Sequence, residues 1–98
     1  MEQFMVEVSL PSYLSQDFID LIPSQRAFID EMFKRGTISG YSLASDRSKL
    51  WVTFIAKSSL EVDRVIAKFP IYSYIEYKVI ELAFHESAAF AVPAISLN

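Results

Sequence analysis

The sequence predicts an α+β domain with the element order β-α-β-β-α-β, a four-stranded antiparallel sheet carrying two helices on one face. Three observations lead there. Four stretches alternate apolar and polar residues as strands do, two repeat apolar residues at helical spacing, and Pro11, Gly36 and Pro70 stand where segments should end. Split β-α-β connections put both helices on one side, so the other face of the sheet is left bare.

The first strand is "QFMVEVSLP", where Phe4, Val6, Val8 and Leu10 alternate with Met5, Glu7 and Ser9 before Pro11 closes it. Glu7 is either an ordinary solvated carboxylate or, if that side is covered, a pocket acid. Next, "SQDFIDLIPSQRAFIDEMFKRG" sets Phe18, Leu21, Ile22, Phe28, Ile29, Met32 and Phe33 at amphipathic-helix spacing. Ser15 suits its N-cap, Gly36 the position after its end, and Lys34 and Arg35 the negative end of its dipole. Pro23 requires either a kink or a short first turn followed by a second helix.

Two strands follow, "TISGYSLASD" and "SKLWVTFIAK", joined by a turn at Asp46, Arg47 and Ser48. Gly40 marks a bulge, a close approach of backbone or ligand, or merely a tolerated glycine. In the second of these strands both the Leu50, Val52, Phe54 side and the Trp51, Thr53, Ile55 side are largely apolar, which predicts cover on both faces. The second helix, "SSLEVDRVIAKFP", has Ser58 and Glu61 spaced as a capping box and an apolar stripe of Val62, Val65, Ile66 and Phe69. A last strand over Tyr74 to Phe84 puts Glu76, Lys78, Ile80 and Leu82 on one side and Tyr77, Glu81 and His85 on the other.

Residues 1–98 form a single domain, with a small, apolar C-terminal tail from about residue 86 in which Pro93 argues against a long helix. Chains of this size bury only about 60% of their unfolded surface and rarely divide further. With 52% apolar and 14% aromatic residues, there is more hydrophobic material than one small protomer needs, which predicts a homodimer or larger homo-oligomer built on the bare sheet face. A net charge of -3 with scattered Lys and Arg offers no footprint for a nucleic-acid backbone. The absence of Cys and the single His leave poor material for a metal site. No run approaches the ~18 apolar residues of a membrane helix, and the expected setting is soluble and cytoplasmic.

The segment "FPIYSYIEYKVIELAFH" holds a helix stop, an aromatic Pro-containing turn, a Tyr, an acid, an alternating strand, a Leu-Ala pair and a His, here Phe69, Pro70, Tyr72, Tyr74, Glu76, Leu82, Ala83 and His85. It resembles the corresponding stretch of the muconolactone isomerases. The order of elements over residues 1 to about 87 agrees with that family as well. The resemblance implies a ferredoxin-like protomer paired into a dimeric α+β barrel, and a cofactor-independent isomerisation of a small unsaturated lactone in the breakdown of aromatic compounds.

Moving a proton across an allylic system needs a base, a proton return and a donor to the enolate oxygen. Glu7, His85 and Tyr41 are the candidate catalytic residues, and Arg47, Tyr74, Glu76 and Trp51 the candidate substrate-binding ones, with no cofactor or metal required. Strand parity separates Glu76 from His85 and leaves Glu81 or Glu7 as its easier partner, of which Glu7 is the choice. The chain departs from the family in its second strand, which reads "ISGYSLASDR" where the isomerases are rich in Trp, His and Arg. Arg47 alone remains there to meet a carboxylate. The alternative function is a non-catalytic module of the same fold that binds a small apolar ligand or serves assembly.

Overall fold

The structure, a computed structural model, describes residues 1–86. The expected C-terminal tail lies almost wholly outside the described residues. Chain order gives β1 (Glu2–Ser9), α1 (Gln16–Asp20), α2 (Ile22–Arg35), β2 (Ile38–Leu43), β3 (Lys49–Ala56), α3 (Ser59–Ile66), a 3-10 turn at Tyr72–Tyr74 and β4 (Glu76–Leu82). The sheet is antiparallel throughout, in the order β2-β3-β1-β4, which is the ferredoxin-like arrangement.

Pro23 splits the first helical region rather than kinking it. The Ser15 hydroxyl accepts the Phe18 N–H at 3.2 Å to start α1, and α2 begins at Ile22 with Pro23 in its first turn. A proline there forfeits no helical hydrogen bond. At the other end Gly36 takes the left-handed conformation, φ 75, and the Thr37 N–H reaches the Met32 carbonyl at 3.0 Å. In α3, Ser58 caps by accepting the Glu61 N–H at 3.3 Å.

The core lies between sheet and helices. Phe4 pairs with Phe54, Val6 with Val52 and Val8 with Leu50, and all six are buried beneath Phe18, Ile29, Met32, Val62 and Ile66. Gly40 sits at a bulge, where the β2–β3 register shifts between Ile38 and Gly40, and a Cβ at this position would stand 3.2 Å from the Thr53 hydroxyl. That bulge restores Tyr41 and Leu43 to the helix side, opposite Val52 and Leu50.

One expectation changes. The last strand starts at Glu76, not Tyr74, because the Tyr74 N–H closes a tight turn onto the Ile71 carbonyl at 2.9 Å. The second side of β3 is not covered within the protomer: Trp51 is 36% exposed, and on β4 of the same face Ile80 is 44% exposed. No helix among the described residues is long and apolar enough to cross a membrane.

Candidate functional site

The break between α1 and α2 opens a cavity of about 530 Å³ against the ends of β2 and β3. Leu10, Phe18, Ile22, Leu43, Leu50 and Ile71 make its walls, and Gln25, Arg26, Tyr41 and Arg47 are its polar members. None of the lining residues is an acid or a histidine. An apolar hollow with a few convergent polar groups is the usual form of a small-molecule site.

Local backbone chemistry builds the lip. The Asp46 carboxylate accepts from the Ser48 N–H at 3.0 Å and from its hydroxyl at 2.7 Å, which holds the Asp46 pKa below its usual value. Arg47 is thereby set in the left-handed region, φ 67, and its N–H bonds the Ala44 carbonyl at 2.9 Å. The Leu10 N–H ties this turn to the end of β1 through the Ser48 carbonyl at 3.0 Å. Arg26, from α2, also lines the cavity, and neither arginine is in an ion pair among the described residues.

Gln25 is the buried polar group of the cavity wall. It is 2% exposed, its Oε1 accepts the Ile71 N–H at 3.4 Å, and its Nε2 has no protein partner among the described residues. Because the Ile71 N–H requires an acceptor, the oxygen faces Ile71 and the NH₂ is turned away from it. The Tyr41 phenol lies beside this amide without closing a hydrogen bond of full geometry. Burial raises the Tyr41 pKa, and the nearby Gln25 amide and Arg26 charge only partly offset it.

The residues singled out in the sequence fall into three places. Tyr41 and Arg47 line the cavity, and Tyr74 supports it by an edge-on contact with Phe18, ring centroids 5.5 Å apart. Glu7, Trp51 and Glu76 stand on the other face of the sheet, where Glu7 is opposite Trp51 on β3 and Lys78 on β4. His85 is exposed beyond the end of β4. Within one protomer, Glu7 and His85 are therefore not brought together. Leu82 lies opposite Gln3 and Lys78 opposite Glu7, so His85 is past the far end of β1, separated by about 14 Å of strand or more. Nor does Tyr41 join them, since β2 turns it to the helix side.

On the open face, Glu7 is held by Lys49, whose ammonium lies 3.3 Å from its carboxylate and 3.3 Å from the Ser9 hydroxyl. The Lys49 hydrogen bond and charge lower the Glu7 pKa, with Lys78 and Trp51 adding to the effect. A general base at neutral pH needs the opposite shift. Tyr77, on the helix side of β4, donates to Asp63 at 2.9 Å; burial first and that carboxylate second push its pKa up to about 12.

No protein-family model matches the chain, and no curated protein matches it by sequence. Among solved structures, the crystal structure of muconolactone isomerase superposes with a TM-score of 0.71 over 88% of this chain and 93% of that one, at 17% identity. The fold resembles that of muconolactone isomerase. At this identity the likeness establishes architecture, a ferredoxin-like protomer, and leaves the site to be argued from its own residues.

Gln25 and Arg26 were missed in the sequence, yet one signal pointed to the first. Phe18, Ile22, Gln25, Ile29 and Met32 succeed one another at helical spacing, so Gln25 occupies a core position on an otherwise apolar stripe.

Proposed function

We propose that this protein binds a small, mainly apolar molecule in the cavity between the broken helix and the β2–β3 hairpin. The observation that carries the reading is the composition of the wall: apolar side chains surround hydrogen-bond donors from Gln25, Tyr41, Arg26 and Arg47, with no acid or histidine among them. Calorimetric titration with small aromatic and aliphatic acids, amides and hydrocarbons tests it. Binding that saturates at one site per chain and is blocked by Leu50→Trp, which fills the hollow, is the expected result. Saturable binding unaffected by that substitution contradicts it.

A second reading is proton transfer on an unsaturated lactone, and the fold likeness to muconolactone isomerase favours it. Tyr41 would steady an enolate oxygen and Arg47 a carboxylate. The base would have to come from Glu7 or His85, which one protomer keeps away from Tyr41. Screening unsaturated lactones for uptake of solvent deuterium separates the two readings; exchange lost in Glu7→Gln or His85→Ala supports catalysis, and no exchange supports binding alone.

A second copy of the chain is the proposed cover for the open sheet face. That face is apolar around Met5, Ile55 and Ile80 and carries both charge signs at Glu7, Lys49 and Lys78. A copy related by a two-fold axis presents the same apolar ground and the complementary charges. Sedimentation at micromolar concentration measures this directly, and a monomer there contradicts it.

A further inference from the structure

We propose that Gln25 is a positioning residue for Tyr41: its NH₂ donates to the Tyr41 phenol oxygen, which leaves the phenol proton to be given to an uncharged carbonyl oxygen of the ligand. The proposal rests on the reading of the cavity as a ligand site and names the group that the site recognises. Its starting point is the buried amide. The Ile71 N–H requires an acceptor and takes the Gln25 Oε1 at 3.4 Å, which fixes the direction of the NH₂ end. That NH₂ is shut off from water, and no hydrogen bond of full geometry reaches it among the described residues. Buried amide donors in native proteins are almost always paired.

The polar residues around the amide leave it one side-chain partner. Arg26 and Arg47 carry donors only, and no acid or histidine lines the cavity, so once the Gln25 oxygen is given to Ile71 the Tyr41 phenol is the one side-chain acceptor among the lining residues. Tyr41 is brought there by the bulge at Gly40, which turns it to the helix side opposite Val52. The amide already acts on the phenol in the direction of such a bond, opposing the rise in pKa that burial imposes on Tyr41.

The direction of the phenol proton follows from this arrangement. A tyrosine hydroxyl has a single hydrogen to donate. With its oxygen accepting from Gln25, and with the Gln25 oxygen committed to Ile71, that hydrogen has no side-chain acceptor in the wall and is left for the ligand. An uncharged carbonyl supplies the acceptor at a lower desolvation cost than an ion, and Phe18, Ile22 and Leu50 surround the apolar body that carries it. A hydrocarbon of the same shape leaves the phenol desolvated and unpaired, so the site discriminates by that one oxygen.

The test uses acetophenone and α-methylstyrene, which share a shape and differ by a methylene in place of the carbonyl oxygen. Both are titrated by calorimetry at neutral pH into the unmodified protein, Tyr41→Phe and Gln25→Met. The unmodified protein should prefer acetophenone by about tenfold, Tyr41→Phe should bind the two within about twofold of each other, and Gln25→Met, which retains the phenol but not its director, should keep a preference of about threefold or less. Tyr41→Phe also removes the acceptor of the Gln25 NH₂ while keeping the ring, so one of the two side-chain amide protons should move upfield in its NMR spectrum; this readout does not depend on whether Gln25→Met folds. A full preference for acetophenone in Gln25→Met, or Gln25 NH₂ resonances unmoved in Tyr41→Phe, overturns the role of Gln25. Equal affinity of the unmodified protein for the two probes overturns recognition of a carbonyl and leaves the cavity as an apolar site. Failure of both probes to bind the unmodified protein overturns the cavity reading itself, and the proposal with it.

Discussion

The helix side and the open side of the sheet are made by the same strands, and their polar groups are treated in opposite ways. On the open side Glu7 and Lys49 face each other, 36% and 39% exposed, so each is satisfied by the other and by water. On the helix side Gln25 is out of water, its oxygen accepting the Ile71 N–H and its NH₂ close to the half-buried Tyr41 phenol. A polar group that is wet and paired has little left to offer a ligand. An apolar hollow met by the Tyr41 phenol and two arginines offers more to a small ligand, which is why the cavity, not the charged face, is the better site.

Substitutions can break that contrast. Phe54→Ala, at the centre of the helix side, should cost about 3 to 5 kcal/mol in urea denaturation, because it empties space between strands and helices that nothing else fills. Ile80→Glu, on the open side, should cost the protomer less than about 1 kcal/mol yet shift sedimentation toward monomer. If Ile80→Glu leaves an oligomer intact, the open face has another role. If it unfolds the protein as Phe54→Ala does, the two faces are equally part of one core.

Two titrations sharpen the contrast. Tyr77 has its pKa raised from 10.0 to about 12, so the neutral phenol is the form the fold favours. Its contribution is complete below pH 10 and is lost as pH rises toward 12. Denaturation midpoints should fall across that interval and fall less in Tyr77→Phe. Glu7 is shifted the other way. Its contribution is present above 4.5 and is lost as pH falls below that value, so Glu7→Gln should flatten the acid limb slightly and change little at neutral pH. A large loss of stability at neutral pH in Glu7→Gln would show that the open face holds Glu7 in a buried network.

Most of the fold was legible because its signals are local. Ser15, Gly36 and Ser58 cap by contacts within a few residues, and the alternation of Phe4, Val6 and Val8 fixes which side of β1 is buried without reference to its neighbours. The site was less legible because it depends on partners distant in sequence. Tyr41 and Arg47 were found by residue type, but the face Tyr41 adopts is set by the bulge at Gly40. Gln25 gains its meaning from the Ile71 N–H, across 46 positions of chain. Glu7 and His85 have suitable chemistry, and only the β1–β4 register shows that they lie at different ends of the sheet.

The most direct test of the cavity as the functional site is an amide NMR titration with cinnamate. The Gln25 side-chain NH₂ and the backbone amides of Tyr41 and Ile71 should shift together and saturate, while the Trp51 indole N–H stays in place. Saturating shifts at Trp51 and Ile80 with Gln25 unmoved would contradict it and transfer the site to the open face of the sheet.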